Sequence, residues 1–158
     1  MPLMLDKGVN VALGTDGMAS NNSHDMFEEM KTCAILHKGV SGDATVMSAP
    51  EVLRMATASG AASQGRAGTM GKIAVGMDAD LIALDFTRPH LSPCHNVMSN
   101  LVYSARGSDV RLTMVRGRTL YRDGEFKTID IEKALYTAKK WASSLNVPAT
   151  GGTDGMIG

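Results

Sequence analysis

The stretch that decides how this chain is read is VALGTDGMASNN, Val11 to Asn22. An apolar, strand-like run stops at Gly-Thr-Asp-Gly and gives way to small and polar residues. In parallel α/β folds, reactive groups collect just past the C-terminal ends of strands, where the backbone turns away and a side chain faces a crevice. Asp16 holds that place, with Gly14 and Gly17 allowing a tight turn on either side. A carboxylate there can bind a divalent metal and take a proton from the attacking water. The competing reading is structural: a turn or helix-cap aspartate does the same on spacing alone.

PLMLDKG reads as the end of a helix, and Val9 to Thr15 as a short strand of an αβ step. SNNSHDMFEEMKTCAILHK is a strong helix, capped by Asn22 or Ser23 and closed at Lys38-Gly39. Met26, Met30, Cys33 and His37 share one of its faces. SAPEVLRMATASGAASQG is a second helix, opened by a Ser48–Glu51 capping box with Pro50 in the first turn, and ended by Gly65 or Gly68.

From Gly71 the texture becomes β. GKIAVGMDADLIALDF predicts a short strand, a turn at Gly76 to Asp78 and a strand to Leu84. Val110 to Val115 and Thr119 to Arg122 predict a hairpin about Gly117, with a second tight turn at Asp123-Gly124. A last helix, about Ile131 to Leu145, is expected to bury Ile131, Leu135, Ala138 and Ala142. The glycine-rich residues after it, 147–158, read as a loose tail.

Several of these motifs, taken in order, resemble metal-dependent amidohydrolases. GVNVALGTDGMASNNSHDMFEEMKTCAILHK resembles their last barrel strand and following helix, and PEVLRMATASGAASQG the next helix. GKIAVGMDADLIALDF is similar to the family's return to a small β-sandwich, and HNVMSNLVYSARGSDVRLTMVRGRTLYRDGEF to its closing strands. The resemblance spans roughly residues 3 to 145 and points to the deaminase and chlorohydrolase branch.

It implies an α/β fold class. Residues 1–70 would be the end of a (β/α)8 barrel, 71–127 part of an antiparallel β-sandwich and 128–146 a C-terminal helix. It implies hydrolytic removal of an amino or chloro group from a small heterocycle, with a divalent cofactor, zinc or iron. Asp16 matches the strand-eight aspartate that binds metal and activates water, and Asn21 and Asn22 fall in the loop that shapes the site. For these two, N-capping of the following helix is the rival role. An imidazolonepropionase-like or guanine deaminase-like branch fits the same motifs.

The family's remaining ligands, an H-x-H pair and two later histidines, have no counterpart in this sequence. His24 reads as a solvated helix-start residue and His37 as packed or C-terminal in its helix. His90, Cys94 and His95 form a tempting trio, but their spacing matches no zinc pattern. One carboxylate holds a divalent ion weakly, since three or four ligands are normally needed. The chain is therefore expected to be a C-terminal piece of such an enzyme, inactive and metal-free by itself. If it is ordered alone, the sheet beyond residue 71 and its flanking helices should carry the core. From a different class, a non-catalytic oligomerisation module also fits, with a second copy covering exposed apolar faces.

Composition narrows the partners. Sixteen Lys and Arg balance sixteen Asp and Glu, and aromatics make up 4%, which argues against nucleic acid and against an anionic membrane surface. No secretory leader is visible and no uncharged run approaches the roughly 18 residues of a span. Cys33 and Cys94 form no CxxC pair and are expected to be two buried thiols in a cytoplasmic protein.

Overall fold

The computed structural model describes residues 1–145, so the expected loose tail at 147–158, and the last residue of the 128–146 segment, lie outside the described residues. The elements run α1 (Pro2–Asp6), α2 (Met18–Asn21), α3 (Met26–Ser41), α4 (Ala49–Ala56) and α5 (Ala58–Ser63), then β1 (Leu81–Leu84) and α6 (Val97–Tyr103). They end with β2 (Val110–Val115), β3 (Arg118–Arg122), β4 (Glu125–Phe126) and α7 (Ile131–Ser144). Single 3-10 turns at Pro89–Leu91 and Gly107–Asp109 flank α6.

The sheet is antiparallel in the order β1-β2-β3-β4. Its β2–β3 hairpin turns at Arg116-Gly117, both with positive φ, and Asp123-Gly124 makes the second tight turn, as the dipeptide predicted. Register shifts occur at Ala83/Leu84 and at Thr113/Met114.

The core lies where three helices meet, not at the sheet. Phe27, Met30, Cys33 and Ala34 of α3 pack with Met47, and with Ala49, Val52 and Met55 of α4. Val102 of α6, with Leu91 and Ala105 beside it, closes the cluster. No residue of the four strands is buried, which corrects the expectation of a sheet-centred core. The reason is visible in the strands: their faces are only half covered, whereas α4 carries its apolar residues on one stripe against α3 and α6.

Other expectations need correction. Residues 9–15 form no strand, because among the described residues no second strand lies beside them to complete a ladder. One main-chain bond, Leu13 N–H to the Met55 carbonyl, ties them to α4. Lys72–Val75 likewise forms no strand, and Ile73 and Val75 stand in solvent. The second predicted helix breaks at Thr57 into α4 and α5. The helix after Asn22 begins later than expected. Asp25 caps α3 by accepting from the Phe27 amide, and the helix runs on to Ser41 before Gly42 ends it in the left-handed region. Of the face drawn from Met26 to His37, Met30 and Cys33 are buried and the two end residues only half so. The expected stripe of α7 is not buried at all: Ile131 and Leu135 are exposed, and Ala138 and Ala142 with them. Cys33 is a buried free thiol as expected, but Cys94 is exposed.

Candidate functional site around Asp16

Asp16 sits between residues 9–15, which carry no regular structure, and α2. Among the described residues it is one of five non-glycine residues with positive φ, at 58°. A left-handed conformation costs an L-residue about 1–2 kcal/mol, and aspartate bears it best because its short side chain bonds locally. Here Asp16 Oδ1 accepts from its neighbour, the Gly17 amide, at 2.7 Å, while the Thr15 hydroxyl donates to the Asp16 carbonyl at 3.2 Å. The second carboxylate oxygen has no hydrogen-bond partner among the described residues, and the side chain is exposed. Asp16 is therefore a turn residue whose geometry leaves one oxygen free for a ligand.

Asn21 reaches back to this turn. Its amide donates to the Thr15 carbonyl at 2.8 Å and to Glu29 Oε1 at 2.5 Å. Both of its amide hydrogens are spent in this way. Asn22 is exposed and takes a left-handed conformation at the end of α2, its backbone N–H donating to the Met18 carbonyl. Neither asparagine caps α3; that task falls to Asp25, so the rival capping role is overturned for both. Together Gly14, Thr15, Asp16, Ser20, Asn21, Glu28, Glu29 and Thr32 line an open hollow of about 340 Å³.

Glu29 went unrecognised in the sequence, where it reads only as an acid suited to the positive end of a helix. Eight positions separate it from Asn21, a spacing with no periodic meaning. Ser23 extends the same loop, accepting from the Asp25 amide at 3.1 Å and donating to Glu28 at 3.0 Å.

The histidines stay apart from Asp16. His24 is exposed, as expected of a solvated residue just before the helix. Partial burial, and beyond it the positive N-terminus, hold His37 below the usual imidazole range. His90 is engaged by Asp109 at 2.9 Å, whereas Cys94 and His95 are exposed. Among the described residues no three His, Cys, Asp or Glu side chains come close enough to hold a metal ion. Around Asp16 the available donors are carboxylate and carbonyl oxygens, while zinc favours nitrogen and sulfur with four ligands. These residues alone do not fit a zinc site; Asp16 can supply one ligand.

The model of the amidohydrolase family matches residues 1–120. The chain belongs to the amidohydrolase family. This amidohydrolase chain is 51% identical over 135 residues to a 5-methylthioadenosine/S-adenosylhomocysteine deaminase of Syntrophobacter fumaroxidans, covering 85% of this chain and 31% of the relative. It is 51% identical over 142 residues to a 5'-deoxyadenosine deaminase of Methanosarcina barkeri, covering 90% and 32%.

Among solved structures, it matches an adenosine deaminase of Xanthomonas campestris with bound zinc at a TM-score of 0.87 and 38% identity, over 89% of this chain and 32% of that one. It matches a zinc complex of an atrazine chlorohydrolase from Arthrobacter aurescens at 0.79 and 25% identity, over 86% and 30%. The amidohydrolase chain thus spans about a third of the length of these relatives.

Proposed function

We propose that this chain contributes the strand-eight carboxylate and its supporting loop to a metal-dependent deaminase acting on an adenosine-like heterocycle. The carrying observation is Asp16 itself: a left-handed residue just after segment 9–15, with one carboxylate oxygen held by Gly17 and the other without a partner among the described residues. In this reading residues 1–70 form the end of a (β/α)8 barrel, 71–127 part of a small β-sandwich and 128–146 a C-terminal helix. The likeness to deaminases at about half identity supports an amino leaving group over chloride.

Asp16 supplies one ligand to a divalent ion, zinc before iron given the zinc in the similar structures. With its other ligands supplied from outside these residues, such an ion would polarise a water near neutral pH. The Asp16 carboxylate would hold the ion through one oxygen and take a proton from the attacking water through the other. Asn21 and Asn22 shape the rim, Asn21 by fixing the turn rather than through its amide hydrogens, which are already spent. A cytoplasmic location belongs to the same reading, supported by two free cysteines; no helix among the described residues is long and apolar enough to cross a membrane.

The test is a chimera in which this chain replaces the matching third of the Syntrophobacter deaminase. Ammonia release from 5-methylthioadenosine is expected with the native sequence. A drop of about a thousandfold or more is expected with Asp16→Asn, the scale of losing a group that acts on the reacting water. Full activity in Asp16→Asn would sink the assignment.

A further inference from the structure

We infer that Glu29 is a positioning residue for the Asp16 carboxylate, acting through Asn21. The inference deepens the reading of Asp16 given above and rests on it for its functional meaning. Asp16 holds a left-handed backbone that no close packing enforces: it is exposed, and neither Gly14 nor Gly17 beside it would bring a Cβ within 4 Å of another group. Something polar must hold the turn.

A side-chain bond reaches the residue before Asp16, from the Asn21 amide to the Thr15 carbonyl. Asn21 is itself the last residue of a four-residue helix, too short to be rigid alone. Its other amide hydrogen goes to Glu29, a charge-assisted bond stronger than a neutral one. Glu29 is half-buried and follows the Asp25 cap by one turn, and its neighbours Phe27 and Met30 are buried in the core. The rigid element α3 therefore sets the position of Asn21, Asn21 sets the Thr15 carbonyl, and that carbonyl fixes the direction in which Asp16 leaves the chain. Glu29 need touch neither metal nor substrate to do this.

The experiment is nuclear magnetic resonance on the labelled chain, comparing the native protein with Glu29→Ala, Glu29→Gln and Asn21→Ala. The readouts are the Asp16 Cα and Cβ shifts, which report its backbone, and the Gly17 amide, which reports the bond to Asp16 Oδ1. In Glu29→Ala these signals are expected to lose their native values and move toward averaged ones, while those of Phe27 to Ala34 stay in place. Glu29→Gln keeps an accepting oxygen and is expected to restore them. Asn21→Ala leaves α3 untouched and is expected to match Glu29→Ala, which keeps the test decisive should Glu29→Ala fail to fold.

Native Asp16 and Gly17 signals in a folded Glu29→Ala or Asn21→Ala would overturn the inference. So would a Gln variant that behaves like Ala. These signals are indifferent to turnover, so a failure here is distinct from a failure of Asp16 chemistry, which appears only in the chimera assay.

Discussion

His90 Nε2 lies 2.9 Å from Asp109 Oδ2, and the Asp109 side chain is 3% exposed. The same carboxylate oxygen accepts from the Arg106 amide at 2.9 Å. The pair joins the connection after β1 to the start of β2 and so clamps both ends of the loop that carries α6 into the core. Removing His90 leaves the buried carboxylate short of a partner, and removing Asp109 leaves the Arg106 amide and His90 without theirs. His90→Ala is expected to cost about 1–2 kcal/mol and Asp109→Ala about 2–3 kcal/mol in urea unfolding. Equal stability of both variants with the native chain would show that the clamp carries no weight.

Asp16→Gly separates stability from function. Glycine takes a left-handed turn without penalty, so the variant is expected to unfold at the same or higher denaturant, by up to about 1 kcal/mol. The chimera carrying it should be inactive. Loss of more than about 1 kcal/mol would mean that the Asp16 side-chain bond to Gly17 outweighs the backbone strain.

Gly71 is required for close packing. Its φ is +88°, and a Cβ there would stand 2.8 Å from Ala61 Cβ and 3.0 Å from the Thr57 carbonyl oxygen. Gly71→Ala is expected to destabilise by about 2 kcal/mol or more. Ala74→Ser, three residues on in an exposed stretch, should change little. Thermal unfolding of the two variants checks the contrast.

Acid sensitivity should come in part from Glu51. The Ser48 hydroxyl and then the Ser48 amide donate to its Oε2, at 2.6 and 2.8 Å, and hold its carboxyl below the ordinary range. Arg54 and Lys38 add smaller pulls in the same direction. A group with a lowered folded pKa stabilises fully above its unfolded value, about 4.3, and loses that contribution as pH falls through the folded value. Glu51→Gln is expected to cost about 1 kcal/mol at pH 7 and to flatten the stability curve in acid. An unchanged curve between neutral pH and about pH 3 would exclude Glu51 as a contributor.

The two thiols should differ in reactivity. Cys94 is exposed, while burial, its largest influence, pushes the Cys33 thiol up. A thiol reagent at neutral pH is expected to modify one cysteine quickly and the second only on unfolding. Mass analysis of the labelled peptides distinguishes them, and rapid labelling of Cys33 would contradict its burial.

Much of the local structure was legible in the residues. The Ser48–Glu51 cap, the hairpin about Gly117 and the turn at Asp123-Gly124 depend on neighbours in sequence, and each formed where it was read. What failed were expectations that depend on partners far along the chain. Val9–Thr15 and Lys72–Val75 have strand-like residues but no ladder, since β pairing needs a second strand to accept its bonds. The α7 stripe has the helical period, but none of its residues is buried. The cap of α3 is Asp25, whose other carboxylate oxygen receives the Gly107 amide from a loop 82 residues away.

Caps, tight turns and the hairpin were readable from the residues alone, and the ordered motifs pointed to the amidohydrolase family. Such local features are set by nearest-neighbour sterics and periodicity. Tertiary structure alone decided that the core gathers among α3, α4 and α6, and that Glu29 reaches Asn21 behind the Asp16 turn. Such contacts join residues whose separation along the chain has no period to read, and only the packing of the folded helices brings them within bonding distance.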